Sequence, residues 1–325
     1  MEQMKRVFRA GLMGVAAAVA LSGSALAADY PTKPIEMIVA FAPGGGTDVA
    51  ARSIASFMEK HLGGGARIAV INKPGAGGEI GWTAVAQAKP DGYTIGFINV
   101  PAINALVVEG KAKFKMDDFQ PIANLVYDPG VLVVGKNSPY QSVKDLVEAA
   151  KAKPGSIAIG TSGAVGSSEH ITILNFERLA DVKLTHAPFG GTAPVRQAVL
   201  GGHIPAATMN LSEALQLSRE GEIRVIGVMS EERSDYLKDA PTFREQGYDV
   251  VAGSSRGIAA PKGMPADIVA QLEAAVDKAL NDPEYLEAAK KAEIPLHYLA
   301  SGDYKAFLDK STADLEATWK VSPWR

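Results

Sequence analysis

Three times along the chain, a short apolar run ends in a glycine-rich turn and gives way to a segment of helical spacing. Ile35 to Ala40 leads through Ala42-Pro43-Gly44-Gly45-Gly46-Thr47-Asp48 into a helix from about Thr47 to Lys60. Arg67 to Ile71 leads through Asn72-Lys73-Pro74-Gly75-Ala76-Gly77-Gly78 into Glu79 to Ala88, and Tyr93 to Phe97 follows as a strand. Ser156 to Ile159 leads through Gly160-Thr161-Ser162-Gly163-Ala164-Val165-Gly166-Ser167-Ser168 into a helix ending near Leu179. A β-turn-α-β order predicts an α/β fold, with a mostly parallel sheet flanked by helices.

The pattern restarts after Asp128-Pro129-Gly130, which reads as a break. Val131 to Val134 is the next strand, and Ser142 with Asp145 caps a helix to about Lys151. Lys183 to His186, Ile204 to Thr208 and Ile223 to Met229 read as strands, with helices at Thr192 to Leu200 and Leu211 to Arg219. Two βαβ-rich halves result. Gly63-Gly64-Gly65 follows a helix and reads as its stop. After Pro265 the chain is helical in three pieces, with apolar faces that need only core packing to explain them.

A strand-to-helix turn leaves backbone N–H groups free at a helix N-terminus, where the dipole favours a carboxylate or phosphate. Glycine lets such a ligand approach the backbone. One such turn is equally a plain βα connection. Three, spread over two halves and all at the carboxyl ends of strands, point to an anion site between the halves.

Lys5, Arg6 and Arg9, an uncharged stretch from Ala10 to Ala20, and small residues at Ala25 and Ala27 predict a cleavable signal peptide spanning residues 1–27. The apolar stretch is too short to span a bilayer. Cleavage near Ala27 leaves 298 of 325 residues, and it removes three basic residues and one acidic one, so the net charge of −3 becomes −5. That sign argues against a nucleic-acid surface. The sequence has no cysteine, which excludes disulfides, thiol catalysis and lipid anchoring through cysteine. The expectation is a soluble, monomeric periplasmic protein.

Further motifs resemble one family. Tyr30-Pro31-Thr32-Lys33-Pro34-Ile35 and then Phe41 to Arg52 look like the opening of the Bug/TctC family, the extracytoplasmic receptors of tripartite tricarboxylate transporters. Asn72 to Gly78, Lys89-Pro90-Asp91-Gly92-Tyr93-Thr94, His186-Ala187-Pro188-Phe189-Gly190-Gly191-Thr192 and Ala260-Pro261-Lys262-Gly263-Met264-Pro265 extend the likeness over nearly the whole chain. The resemblance implies a two-domain periplasmic binding protein of flytrap (type II-like) form, with two crossing hinge strands. Lobe 1 would comprise 28–127 plus 256–325, and lobe 2 would comprise 128–255. It implies a small organic acid as ligand and membrane transporter subunits as docking partners. The ligand carboxylate would be held by Phe41, Pro43, Gly44, Gly45, Gly46 and Thr47, with Asp48 bracing the turn. Gly75 and Ala76 would add to that wall, and Thr161, Ser162, Gly166, Ser167, His186, Gly190, Gly191 and Thr192 would face it.

Two positions depart from the family pattern. Pro205 stands where an Asp is common after a Gly-Gly pair. Ser254-Ser255-Arg256 stands where an aromatic residue precedes the glycine matching Gly257. Arg256 either holds a second ligand carboxylate through its planar fork or pairs with an acid at the surface. The first role favours a di- or tricarboxylate.

Enzyme motifs are lacking. His61, His170, His186, His203 and His297 show no metal-ligand spacing, so no metal or cofactor is expected. Gly160-Thr161-Ser162-Gly163 is followed by Ala164, so it is not a nucleophile elbow. The alternative to a receptor is a periplasmic hydrolase using Ser162 or Ser167 with His170 or His186.

Overall fold

The computed structural model describes residues 30–163, 165–321, 323 and 324. The segment read as a signal peptide lies outside the described residues, as does Ala164. No helix among the described residues is long and apolar enough to cross a membrane.

Strands β1 (Ile35–Val39), β2 (Ile68–Asn72) and β3 (Thr94–Val100) form a parallel set in the order β2-β1-β3. Helix α1 (Gly46–Leu62) packs on this set because its small and apolar residues share one face. Ala50, Ile54 and Met58 repeat at four-residue spacing and are fully buried. Burying a side chain the size of Ile54 or Met58 contributes roughly 1.5–3 kcal/mol. The helix ends where Gly63 turns to φ 71° and returns its N–H to Glu59, as the triple glycine predicted. Helices α2 (Glu79–Ala86) and α3 (Ala102–Val108) complete this half.

The second half holds α4 (Val143–Ala152), α5 (Ser168–Ala180), α6 (Thr192–Leu200) and α7 (Leu211–Arg219). Its parallel strands are β5 (Ala158–Thr161), β6 (Thr185–Pro188) and β7 (Ala206–Asn210), in the order β7-β5-β6. Ser142 and Asp145 close the capping box that starts α4. Each half has its own apolar core, one around Ile54, Phe97 and Tyr285, the other around Leu146, Ile159 and Phe243.

Two strands join the halves. β4 (Phe119–Gly135) pairs antiparallel with β9 (Gly253–Pro261) along its first part. Beyond Gly130 it pairs with β7 and with β8 (Ile223–Val228). β9 also pairs with β3, and β10 (Leu296–Ala300) adds to β4. The sheet is therefore parallel in its outer strands and antiparallel at the crossing strands. The βαβ pattern alone did not reveal the antiparallel part.

Asp128-Pro129-Gly130 does not break the strand. β4 runs straight through it, because this is where the strand changes partners. Gly130 gives its N–H to Ala252 and accepts from Met229. A Cβ at Gly130 would lie 2.8 Å from the Met229 sulfur, so glycine suits the crossing point. The tail helices α8 (Ala266–Leu280), α9 (Pro283–Lys291) and α10 (Ser301–Val321) cover the first half.

Candidate functional site

The turn after β1 is built from inside. Asp48, in the first turn of α1, is buried, and its carboxylate accepts from Gly44 N–H at 2.9 Å, from Asn72 at 2.9 Å and from Arg52. Burial pushes its carboxyl up, but the bonds from Arg52, Gly44 and Asn72 outweigh this and hold it below its usual range. Asp48 is thus a brace. Asn72 also donates to the Phe41 carbonyl at 3.0 Å, and the Phe41 ring stands edge-on to Trp82. Gly45 is the N-cap of α1 and offers no side chain to its first N–H groups. Thr47 accepts from Asn99 at 2.7 Å, while the buried Asn99 Oδ1 has no partner. Gly75 (φ 136°) and Ala76 (φ 47°) form the start of the second glycine turn, which leads into α2.

Arg256 enters this site from β9. Its guanidinium lies directly beneath Gly46, where a Cβ would meet its nitrogens at 2.9 and 3.1 Å. One terminal nitrogen donates to Asp128 at 2.9 Å. Its Nε is buried without a partner. The residue does pair with an acid, but Arg256 is 4% and the Asp128 side chain 0% exposed, so this is not a surface pair. Asp128 also accepts from the N–H and hydroxyl of Ser212 at the start of α7. A fixed cation therefore meets the positive end of a helix dipole.

Beside the third turn, His170 of α5 and His186 of β6 stack with ring centres 4.0 Å apart. Thr161 donates its hydroxyl hydrogen to Gly163 at 2.7 Å, so His186 Nε2, also 2.7 Å away, is the donor in their bond. Gly166 N–H donates to His170 Nδ1 at 3.1 Å, so that nitrogen is bare. The His170 ring is therefore neutral. Burial, then the neighbouring His186, lowers His170 to about 4. Burial lowers His186, opposed by Glu169. Gly166 faces Glu109 and the Trp324 indole, and its N–H is spent on His170.

Gly190 and Gly191 face open space ahead of α6, whose N-terminus lacks a side-chain cap. Thr192 then donates to Glu213 at 3.0 Å. Ser162 donates to Glu169 at 2.5 Å, and Ser167 caps α5 by accepting from His170 N–H. Neither serine hydroxyl meets an imidazole ring, so the pairing that a hydrolase needs is not formed. Among the described residues, no group of His, Asp and Glu could hold a metal ion.

Asp128, Glu213, Asn99 and Glu169 were not foreseen as site residues. Glu213 had a legible signal, since Asn210 and Glu213 form a capping box at the start of α7. Asp128 was hidden inside an apparent break between the halves.

The family model described as "TctC: Tripartite tricarboxylate transporter family receptor" matches residues 50–319. A crystal structure of a TctC solute binding protein from Polaromonas is 34% identical with a TM-score of 0.73, covering 89% of this chain and 98% of its own. MatC from Rhodopseudomonas palustris, solved with bound malate, is 29% identical with a TM-score of 0.78, covering 89% and 99%. A second R. palustris protein, solved with adipate, is 28% identical with a TM-score of 0.81, covering 90% and 97%.

Proposed function

Because the chain belongs to the TctC family of tripartite tricarboxylate transporter receptors, we propose that it captures a small carboxylate between lobes 28–127 plus 256–325 and 128–255 and delivers it to a membrane transporter of that type. Receptors of this family are periplasmic solute-binding proteins and not enzymes. We place the mature protein in the periplasm after cleavage near Ala27, acting as a monomer that docks transiently.

One observation carries the reading. Arg256 and the N-terminus of α1, which has no side-chain cap, bring positive charge to one point, and Asp128 is the carboxylate bonded to the guanidinium among the described residues. A ligand carboxylate completes that arrangement through charge-assisted hydrogen bonds. The glycines from Gly44 to Gly46 give it access to backbone N–H groups, and Thr161 to Ser167 with Gly190 to Thr192 close over it. Malate and adipate, bound by two of the similar proteins, are dicarboxylates, and we extend that ligand class to this chain. Closure follows from contacts that exist only when both lobes reach the ligand.

The test is a melting-shift screen of mono-, di- and tricarboxylates with product analysis. A dicarboxylate at 100 times its Kd adds about 2.7 kcal/mol to stability and remains unchanged in solution. Turnover of the acid, or no shift with any acid, contradicts the reading.

A further inference from the structure

Glu213 is a carboxylate of the site with no salt bridge among the described residues. It sits at the third position of α7. One oxygen accepts from Asn210 N–H at 3.1 Å, the other from the Thr192 hydroxyl at 3.0 Å. Thr192 opens α6 directly after two glycines that face open space. The charged groups facing Glu213 are Arg256 from β9, Asp128 from β4 and Glu169 from α5.

With Glu213 ionised, Thr192 must spend its only hydrogen on that carboxylate. The threonine then shows the cleft lone pairs alone, and these repel a ligand carboxylate. With Glu213 neutral, the order reverses. The carboxyl O–H donates to Thr192 Oγ1, and the threonine turns its own hydrogen towards the cleft. We propose that Glu213 sets the polarity of Thr192 and that capture of a carboxylate requires the neutral Glu213, taking up one proton from solvent where Glu213 was ionised. This rests on the receptor reading above and adds a specificity element to it.

Electrostatics point the same way. Burial raises the Glu213 carboxyl above its usual range, Arg256 and the bond from Asn210 N–H oppose this, and Asp128 and Glu169 add to it. A ligand carboxylate on Arg256 cancels the one opposing charge and adds another negative one, so the bound state favours neutral Glu213 further. A group whose protonated form binds better loses affinity as pH rises through its value in the free protein, by at most tenfold per pH unit.

The experiment is calorimetric titration of the full mature chain with malate and with adipate between about pH 6.5 and 9. The second proton of a dicarboxylic acid leaves about one unit above an ordinary carboxyl pKa of about 4, so both acids are predominantly dianions there. His170, lowered to about 4, is neutral there as well, and His186 is held below its usual value. Wild-type affinity falls as pH rises. Glu213→Gln, which donates to Thr192 permanently through its amide, shows no pH dependence. Thr192→Val binds more weakly at every pH and is also flat. A flat wild-type profile, or a slope that survives in Glu213→Gln, overturns the inference. Failure of both acids to bind at all overturns the receptor reading itself and is thereby distinguished.

Discussion

Replacing Arg256 with methionine weakens dicarboxylate binding about 10- to 150-fold, the equivalent of losing a charged hydrogen bond worth roughly 1.5–3 kcal/mol. It also destabilises the fold, by about 3–5 kcal/mol if Asp128 behaves like other buried charges stripped of a partner. The value falls at the lower end of that range, because Asp128 keeps its two bonds to Ser212. Adding Asp128→Asn removes the orphaned charge. The double variant therefore regains much of the stability while binding stays weak. Urea unfolding and calorimetry read the two effects separately. Wild-type affinity for dicarboxylates in Arg256→Met would exclude the residue from the ligand.

Gly46→Ala weakens binding about tenfold or more while leaving stability near wild type. The position lies in the first turn of α1 at an ordinary helical φ, so alanine suits the backbone there by up to about 1 kcal/mol. The obstacle is lateral. The new Cβ would sit 2.9 Å from one guanidinium nitrogen and 3.0 Å from its central carbon, too close for either to stay in place. Arg256 cannot retreat freely, because Asp128 holds its other nitrogen. The guanidinium tilts away from the helix end, and the ligand loses one of its two positive partners. In an Arg256→Met background the same substitution adds little further loss, as a shared mechanism requires. Fully additive losses would mean that Gly46 acts on the ligand by itself.

The parts legible in the sequence were those governed by local rules. The turn after β1 reads correctly because Gly44 needs φ 81° and Asp48 bonds a residue only four positions away. The caps at Ser142 and Gly63 are equally local. Contacts between distant residues were not legible. Asp128 sits in a sequence that reads as a break, yet β9, more than 120 residues later, holds it in a strand and supplies Arg256. The bond from Gly166 to His170 likewise turns a candidate donor inward, and only the folded geometry of that turn reveals it. Helix α3 and strand β10 escaped notice because short apolar segments carry little periodicity.

The most direct measurement is a crystal structure of the mature chain grown with a dicarboxylate. The account predicts one ligand carboxylate at about 2.7–3.2 Å from N–H groups of the Gly45–Thr47 turn and from Arg256, with the Thr161 and Thr192 turns closed over it. A dicarboxylate bound elsewhere, with Arg256 still paired to Asp128 alone, would contradict it.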